Sequence, residues 1–166
     1  MKNFGDLYKH KKDKKSMNET SKDQIMLQAF KFHSQGNIAE AVKYYQDFIN
    51  RGFENHIVFS NYGAILKNSG KLKEAELSTR KAIKLNPEYV EAHYNLGIIL
   101  KNLGRLEEAE SSYHKAIELN PNYAMAFCNL GNILKDRGKL REAELAIRKA
   151  INLNPDYAIA YSNLGS

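Results

Sequence analysis

The chain has 166 residues, a net charge of +6 and an apolar share of 43%, the profile of one ordinary globular domain and not of a disordered or fibrous chain. No run of 18 apolar residues exists and MKNFGDLYKHKKDKK lacks an apolar signal core, so a cytoplasmic chain is expected, neither membrane-spanning nor secreted. The single cysteine, Cys128, excludes an internal disulfide framework, and His10, His33, His56, His93 and His114 offer no pair at ligand spacing, so no metal and no cofactor are expected.

The chain opens on a polar leader, 1–21, which supplies half of the net charge through Lys2, Lys9, Lys11, Lys12, Lys14 and Lys15 against Asp6, Asp13 and Glu19. A basic run as short as Lys9–Lys15 reads as a solvated, disordered tail, with nucleic-acid or membrane contact not expected. Ser21 with Gln24 three residues on forms a capping-box pattern for the first helix.

From residue 22 the chain repeats with a period of 34. Val90–Tyr123 is followed without insertion by Ala124–Tyr157, and the two blocks agree at 19 of 34 positions. Stepping by the same period divides the chain into units 22–55, 56–89, 90–123 and 124–157, with 158–166 opening a fifth. A fixed period of this length is the mark of a solenoid, in which each unit buries its apolar face only against the next.

Within each unit, apolar residues recur at helical spacing in two runs separated by Gly36, Gly70, Gly104 or Gly138, which predicts a helix hairpin. The second run ends at Asn86-Pro87, Asn120-Pro121 and Asn154-Pro155, where proline stops the helix and biases its predecessor away from helical angles. Small residues fall where the two helices approach: Gly63, Gly97, Gly131 and Gly165 on the first, Ala41, Ala75, Ala109 and Ala143 on the second.

Together with Leu96, Leu130 and Leu164 before those glycines, and Ala82, Ala116 and Ala150 late in the second helix, this pattern resembles the tetratricopeptide repeat over residues 22–166. The tripeptides Asn95-Leu96-Gly97, Asn129-Leu130-Gly131 and Asn163-Leu164-Gly165 are similar to those of bacterial tetratricopeptide repeat proteins and of the solenoid region of O-GlcNAc transferase. The resemblance implies an all-α, right-handed superhelical solenoid of antiparallel helix hairpins, four full repeats plus the start of a fifth. The first unit departs from the pattern, with Ala29 at the glycine position, Phe48 at the late alanine and Phe53 at the proline, and reads as a terminal cap. The chaperone-tail carboxylate clamp of the family needs basic first-helix residues where this chain has Glu91 with Asn95 and Met125 with Asn129, so Hsp70- or Hsp90-class tails are not expected ligands.

On the second helices, Glu76 with Arg80, Glu110 with His114 and Glu144 with Arg148 stand four apart with the acid first, worth a few tenths of a kcal/mol per pair. The recurring Asn-Pro-x-Tyr strings that end in Tyr89, Tyr123 and Tyr157 read as turns between repeats.

The first helices carry the functional expectation, since in the family they line the concave groove and unit positions 2, 5, 6, 9, 12 and 13 share a helical face. Position 6 is Asn61, Asn95, Asn129 and Asn163, a ladder of amides able to pair with a peptide backbone. Position 12 is Lys67, Lys101 and Lys135, beside Asn68 and Asn102, and a line of lysines favours acidic ligands. Tyr94 is one of several groove positions that vary between units. A constant amide row with varying neighbours suits an extended peptide; the alternative is that the amides satisfy neighbouring repeats and the lysines solubilise the groove edge. The expected function is a non-enzymatic protein–protein interaction module binding a peptide or protein segment. The alternatives are a scaffold assembling by end stacking of copies, and a substrate-recruiting region of a larger enzyme such as a glycosyltransferase, since solenoids of this family often precede catalytic domains; the residues present themselves hold no phosphate loop, nucleophile elbow or metal-binding helix motif.

Overall fold

The computed structural model describes residues 21–165, and all nine elements within them are α-helices. They are α1 (21–34), α2 (Ile38–Asn50), α3 (His56–Asn68), α4 (Leu72–Leu85), α5 (Val90–Asn102), α6 (Leu106–Leu119), α7 (Ala124–Asp136), α8 (Leu140–Leu153) and α9 (Ala158–Gly165). The basic run Lys9–Lys15 lies outside the described residues. Ser21 is already inside α1 and not ahead of it, so the helix starts at or before this residue and Ser21 is not its cap. The fold is the all-α tetratricopeptide-type solenoid that the 34-residue period predicts. By contacts the chain divides at Val58, with a smaller unit up to that residue and a larger one from Phe59 onwards.

In the smaller unit α1 and α2 close over Ile25, Ala29, Ala41, Tyr45 and Phe48, all buried. The two departures at Phe48 and Phe53 compensate each other: the Phe48 ring is fully buried and meets Phe53 edge-on at 5.4 Å between centroids. Without a proline after α2, Gly52 ends that helix in the left-handed region, at φ 75°. The Tyr45 hydroxyl lies 2.9 Å from His33 Nδ1, and burial pushes the His33 imidazole below its usual pKa.

In the larger unit α5 pairs with α6 and α7 with α8, and the packing continues from α4 to α5, α6 to α7 and α8 to α9. One apolar cluster therefore crosses hairpins: Leu96 and Leu100 of α5, Ala109 and Tyr113 of α6, Leu130, Ile133 and Leu134 of α7, and Ala143 and Ala146 of α8. The hairpin turns share one geometry. Gly104, at φ 77°, donates to Lys101 O at 2.9 Å while Arg105 N donates to Leu100 O at 2.9 Å, which pairs the last carbonyls of α5 and needs a residue without a Cβ penalty. Gly70 and Gly138 repeat it.

The turns between units follow from Asn-Pro. Asn86, Asn120 and Asn154 are extended, as a residue before proline must be, and each accepts through its side-chain oxygen from the backbone N–H two residues on, at 3.1, 3.1 and 3.2 Å.

The small residues at the helix crossing have a more specific role than close approach to alanine. A Cβ on Gly97 would come within 2.6 Å of Tyr113 Cε1, one on Gly131 within 2.5 Å of Ile147 Cγ1, and one on Gly63 within 2.4 Å of Thr79 Oγ1. Each glycine makes room for the residue at unit position 24, while Ala75, Ala109 and Ala143 are buried beside it.

Candidate functional site

Asn61, Asn95, Asn129 and Asn163 fall on α3, α5, α7 and α9 and are all half-buried. The amides do not stand alone. Asn129 Nδ2 donates to Tyr94 Oη at 3.1 Å, and Asn163 Nδ2 donates to Cys128 Sγ at 3.2 Å. Both bonds run from position 6 of one unit to position 5 of the unit before, so part of the ladder fastens successive first helices together. The Asn95 amide makes no such bond among the described residues, and its counterpart at position 5, Ser60, is buried.

A hydroxyl that accepts keeps its own proton to give. With Asn129 donating to it, the Tyr94 O–H stays available as a donor. Burial raises the Tyr94 pKa, outweighing that hydrogen bond, and its ring packs between Tyr113, at 6.0 Å between centroids, and Tyr123, at 4.9 Å. Tyr123 is pushed up to about 12 by burial, then by the nearby Tyr94, Glu91, Tyr89 and Tyr157. Burial likewise raises Tyr89 and Tyr157, so this group of tyrosines is neutral near pH 7 and can donate. The Cys128 thiol, buried under Asn163 and Tyr157, is pushed up by that burial and stays protonated.

The structure thus brings Tyr94, Asn129 and Asn163 together with Tyr123, Tyr157 and Cys128. Tyr123 N-caps α7, and Tyr157 immediately precedes α9 and packs its ring against the Cys128 cluster. A reading of Asn-Pro-x-Tyr as turn alone accounts for the backbone of these tyrosines and misses their side chains; the signal that finds them is that they share the period of the asparagines.

The lysines sit differently from one another. Lys135 Nζ donates to Asn163 O at 3.0 Å, tying α7 to α9. Lys67 is half-buried and burial lowers its pKa, while Lys101 is half-buried and near enough to Cys128 to act on it electrostatically. Asn68 and Asn102 are exposed at the ends of α3 and α5. Of the variable positions, Ser60 and Cys128 are buried and cannot meet a ligand, whereas Glu91 and Met125 are exposed.

At the hairpin-turn edge a second set of cross-unit bonds appears. Arg105 Nη1 reaches Glu76 at 2.7 Å and Lys139 Nζ reaches Glu110 at 2.9 Å, the same step of 29 residues in both. Glu110 also pairs with Arg137, and burial, which would raise its pKa, is outweighed by Lys139 and Arg137, which hold it low. The sequence spacing gives the within-helix pairs, Arg80 with Glu76 at 2.8 Å, Arg148 with Glu144 at 2.7 Å and His114 with Glu110 at 4.0 Å, the last the longest because the next unit holds Glu110 more closely.

No group of three metal-ligating side chains and no helix long and apolar enough to cross a membrane occurs among the described residues. A sequence model of the tetratricopeptide repeat matches residues 90–123 and 124–157, and a related model of the repeat matches 63–104, so that more than half of the chain is matched. No curated protein matches the chain. Among solved structures it is similar to YrrB, described as a tetratricopeptide repeat protein with an unusual peptide-binding site, at 24% identity over 91% of this chain and 78% of that one, TM-score 0.80. It is similar to MamA at 26% identity, over 82% of this chain and 80% of that one, TM-score 0.75. The first such repeat domain of Spaghetti (RPAP3), solved bound to the HSP90 peptide SRMEEVD, is 24% identical over 66% of this chain and 87% of that one, TM-score 0.65.

Proposed function

The chain belongs to the tetratricopeptide repeat proteins, and from that premise we propose that it is a non-enzymatic protein–protein interaction module whose first-helix face takes up an extended peptide or protein segment. The observation that carries the reading is the alignment of half-buried donors along α5, α7 and α9: the Asn95 amide, the Tyr94 hydroxyl that Asn129 orients, and the tyrosines beside them. Asn61, Asn95, Asn129 and Asn163 read backbone, Tyr94 supplies a ring and a donor, and Lys67, Lys101 and Lys135, with Asn68 and Asn102 at the rim, favour acidic residues flanking that segment. The peptide-bound Spaghetti domain and the peptide-binding site described for YrrB support the same use of the fold.

Magnitude sets the expected affinity. Four hydrogen bonds at about 0.5–1.5 kcal/mol each give roughly 2–6 kcal/mol, much of it offset by association, so the amides alone bind near millimolar. Side chains beside them must supply the rest. The test is a lysate pull-down with mass spectrometry comparing the chain with Asn95→Ala and with the triple change Asn61→Ala, Asn95→Ala, Asn129→Ala, their helix content and melting checked to match. Loss of specific partners from both variants is expected; retention of the same partners would overturn the reading.

One observation favours a second reading, self-association. A cavity of about 360 Å³ lies between α8 and α9, lined by Leu140, Ala143, Glu144, Ile147, Arg148 and Leu164 among others, with Leu140 65% exposed. Sedimentation velocity across a hundredfold concentration range tests it: a fixed monomer mass rules it out.

A further inference from the structure

We propose that a cavity between α4, α5 and α6 in the larger unit is a binding site for a phosphorylated side chain of a partner protein. The cavity has a volume of about 460 Å³ and is lined by Arg80 and Lys84 of α4, His93 of α5, and Ser111 and Lys115 of α6. Among the described residues no carboxylate lines it, and neither do Tyr94, Asn95 or Asn129, so the site is separate from the first-helix face. It rests on the reading of the chain as a protein-interaction module and not on that face.

The repeat supplies its own control. Ile83 and Leu96, the apolar lining residues, pack in the core, and one step of 34 turns them into Ile117 and Leu130, so the fold keeps them. The polar residues are not kept. The same step turns Arg80 into His114, Lys84 into Glu118, His93 into Phe127 and Ser111 into Leu145; the step back gives Gln46, Asn50, Phe59 and Leu77. The repeat therefore folds without a cation or hydroxyl at these positions, and one interval alone gathers them. Lys115 recurs as Lys81 and Lys149, but its setting differs: Lys81 lies over the Phe59 ring at 5.9 Å, and His93 stands where Lys115 would have the equivalent ring.

The donors are available. Lys84 and Ser111 have no hydrogen-bond or ion-pair partner among the described residues. Arg80 donates to Glu76 at 2.8 Å and to Glu108 of α6 at 3.3 Å, which ties the two flanking helices together and leaves the rest of its donor fork unused. Lys115 gives one N–H to Glu118 at 2.6 Å, and His93 is held by Nε2, which donates to Pro87 O at 2.8 Å. Ser112 also lines the cavity, but its hydroxyl is committed to Glu108 O at 2.9 Å. Glu76, Glu108 and Glu118 thus orient cations from outside the lining.

Cations from two helices and a free hydroxyl suit a dianion with several acceptor oxygens. A carboxylate brings a single charge, whereas a phosphomonoester brings about −1.5 to −2 and three strong acceptors. The volume falls within the roughly 300–1,000 Å³ of pockets that hold organic ligands, and Ile83 and Leu96 offer apolar surface to the stem that carries the phosphate. In a protein-interaction module the natural carrier of that stem is a side chain of the partner.

The experiment titrates the full chain with N-acetyl-O-phosphotyrosine amide and N-acetyl-O-phosphoserine amide, beside their unphosphorylated forms and inorganic phosphate, followed by proton–nitrogen NMR. Saturable shifts centred on His93, Ser111 and Ser112 are expected from at least one phosphorylated amide, about fivefold or more tighter than from inorganic phosphate, and none from the unphosphorylated amides. The variants come from the neighbouring units: Lys84→Glu and Ser111→Leu match residues the chain carries one step away, and melting curves check that both fold. Lys84→Glu is expected to weaken binding about tenfold and Ser111→Leu about threefold, while Lys73→Glu, the same charge change on an exposed residue of α4 outside the cavity, changes it by less than about twofold. No saturable binding of either phosphorylated amide, equal affinity for inorganic phosphate (an adventitious ion only), or equal losses from Lys73→Glu and Lys84→Glu would each overturn the inference. If it falls while partners captured from lysate still depend on Asn95, the first-helix reading stands; if the amides bind while capture is independent of Asn95, that reading falls and the cavity remains.

Discussion

Gly97 shows how much a single hydrogen in place of a methyl decides. Its missing Cβ is the space that the buried Tyr113 ring fills, and Tyr113 in turn supports Tyr94 on the first-helix face. Gly97→Ala is expected to destabilise the chain by about 1–3 kcal/mol, since ring and backbone must separate, and urea denaturation measures it. In a Tyr113→Leu background the same change costs less, a non-additivity that a double-mutant cycle detects. The glycine was legible in the sequence as a point of close approach; the residue it accommodates was not, because unit position 24 is threonine, tyrosine or isoleucine in different units and advertises no pattern. The same holds for the asparagines. Their recurrence marks them, but what each amide bonds depends on position 5 of the preceding unit, where serine, tyrosine and cysteine differ in reach.

Among the elements, the helices are where sequence foretells most. A period of 34, a glycine at each hairpin turn and Asn-Pro after each second helix are local chemistry: a left-handed turn residue, an extended residue before proline, and a side-chain acceptor for the turn. The ionic contacts between elements are less legible, since Glu110 meets Lys139 across 29 residues at 2.9 Å, closer than His114 across four at 4.0 Å. Glu110 has its pKa held below that of an unfolded glutamate, so its contribution to stability is complete above the ordinary carboxylate range and is lost as pH falls through the depressed value. Urea midpoints at pH 7 and pH 3.5 are therefore expected to differ less for Glu110→Gln than for the unaltered chain. Asn120→Ala removes the acceptor of the turn between α6 and α7 and is expected to cost about 1 kcal/mol, read from the same denaturation curves.

At the scale of the whole molecule, the larger unit owes its stability to a sum over neighbours, because its hairpins pack on one another and the apolar cluster is continuous from α5 to α8. Amide hydrogen exchange is expected to be slowest in α5 to α8 and markedly faster in α9, an eight-residue helix with Ile159 57% and Tyr161 50% exposed. The larger unit is also fastened in two unlike ways. Along the first helices its stitches are amides, which ions in solution barely affect; along the hairpin-turn edge they are charge pairs through Glu76 and Glu110, which added salt weakens. Such a stack answers to added salt as a bimetallic strip answers to heat, one edge loosening while the other holds.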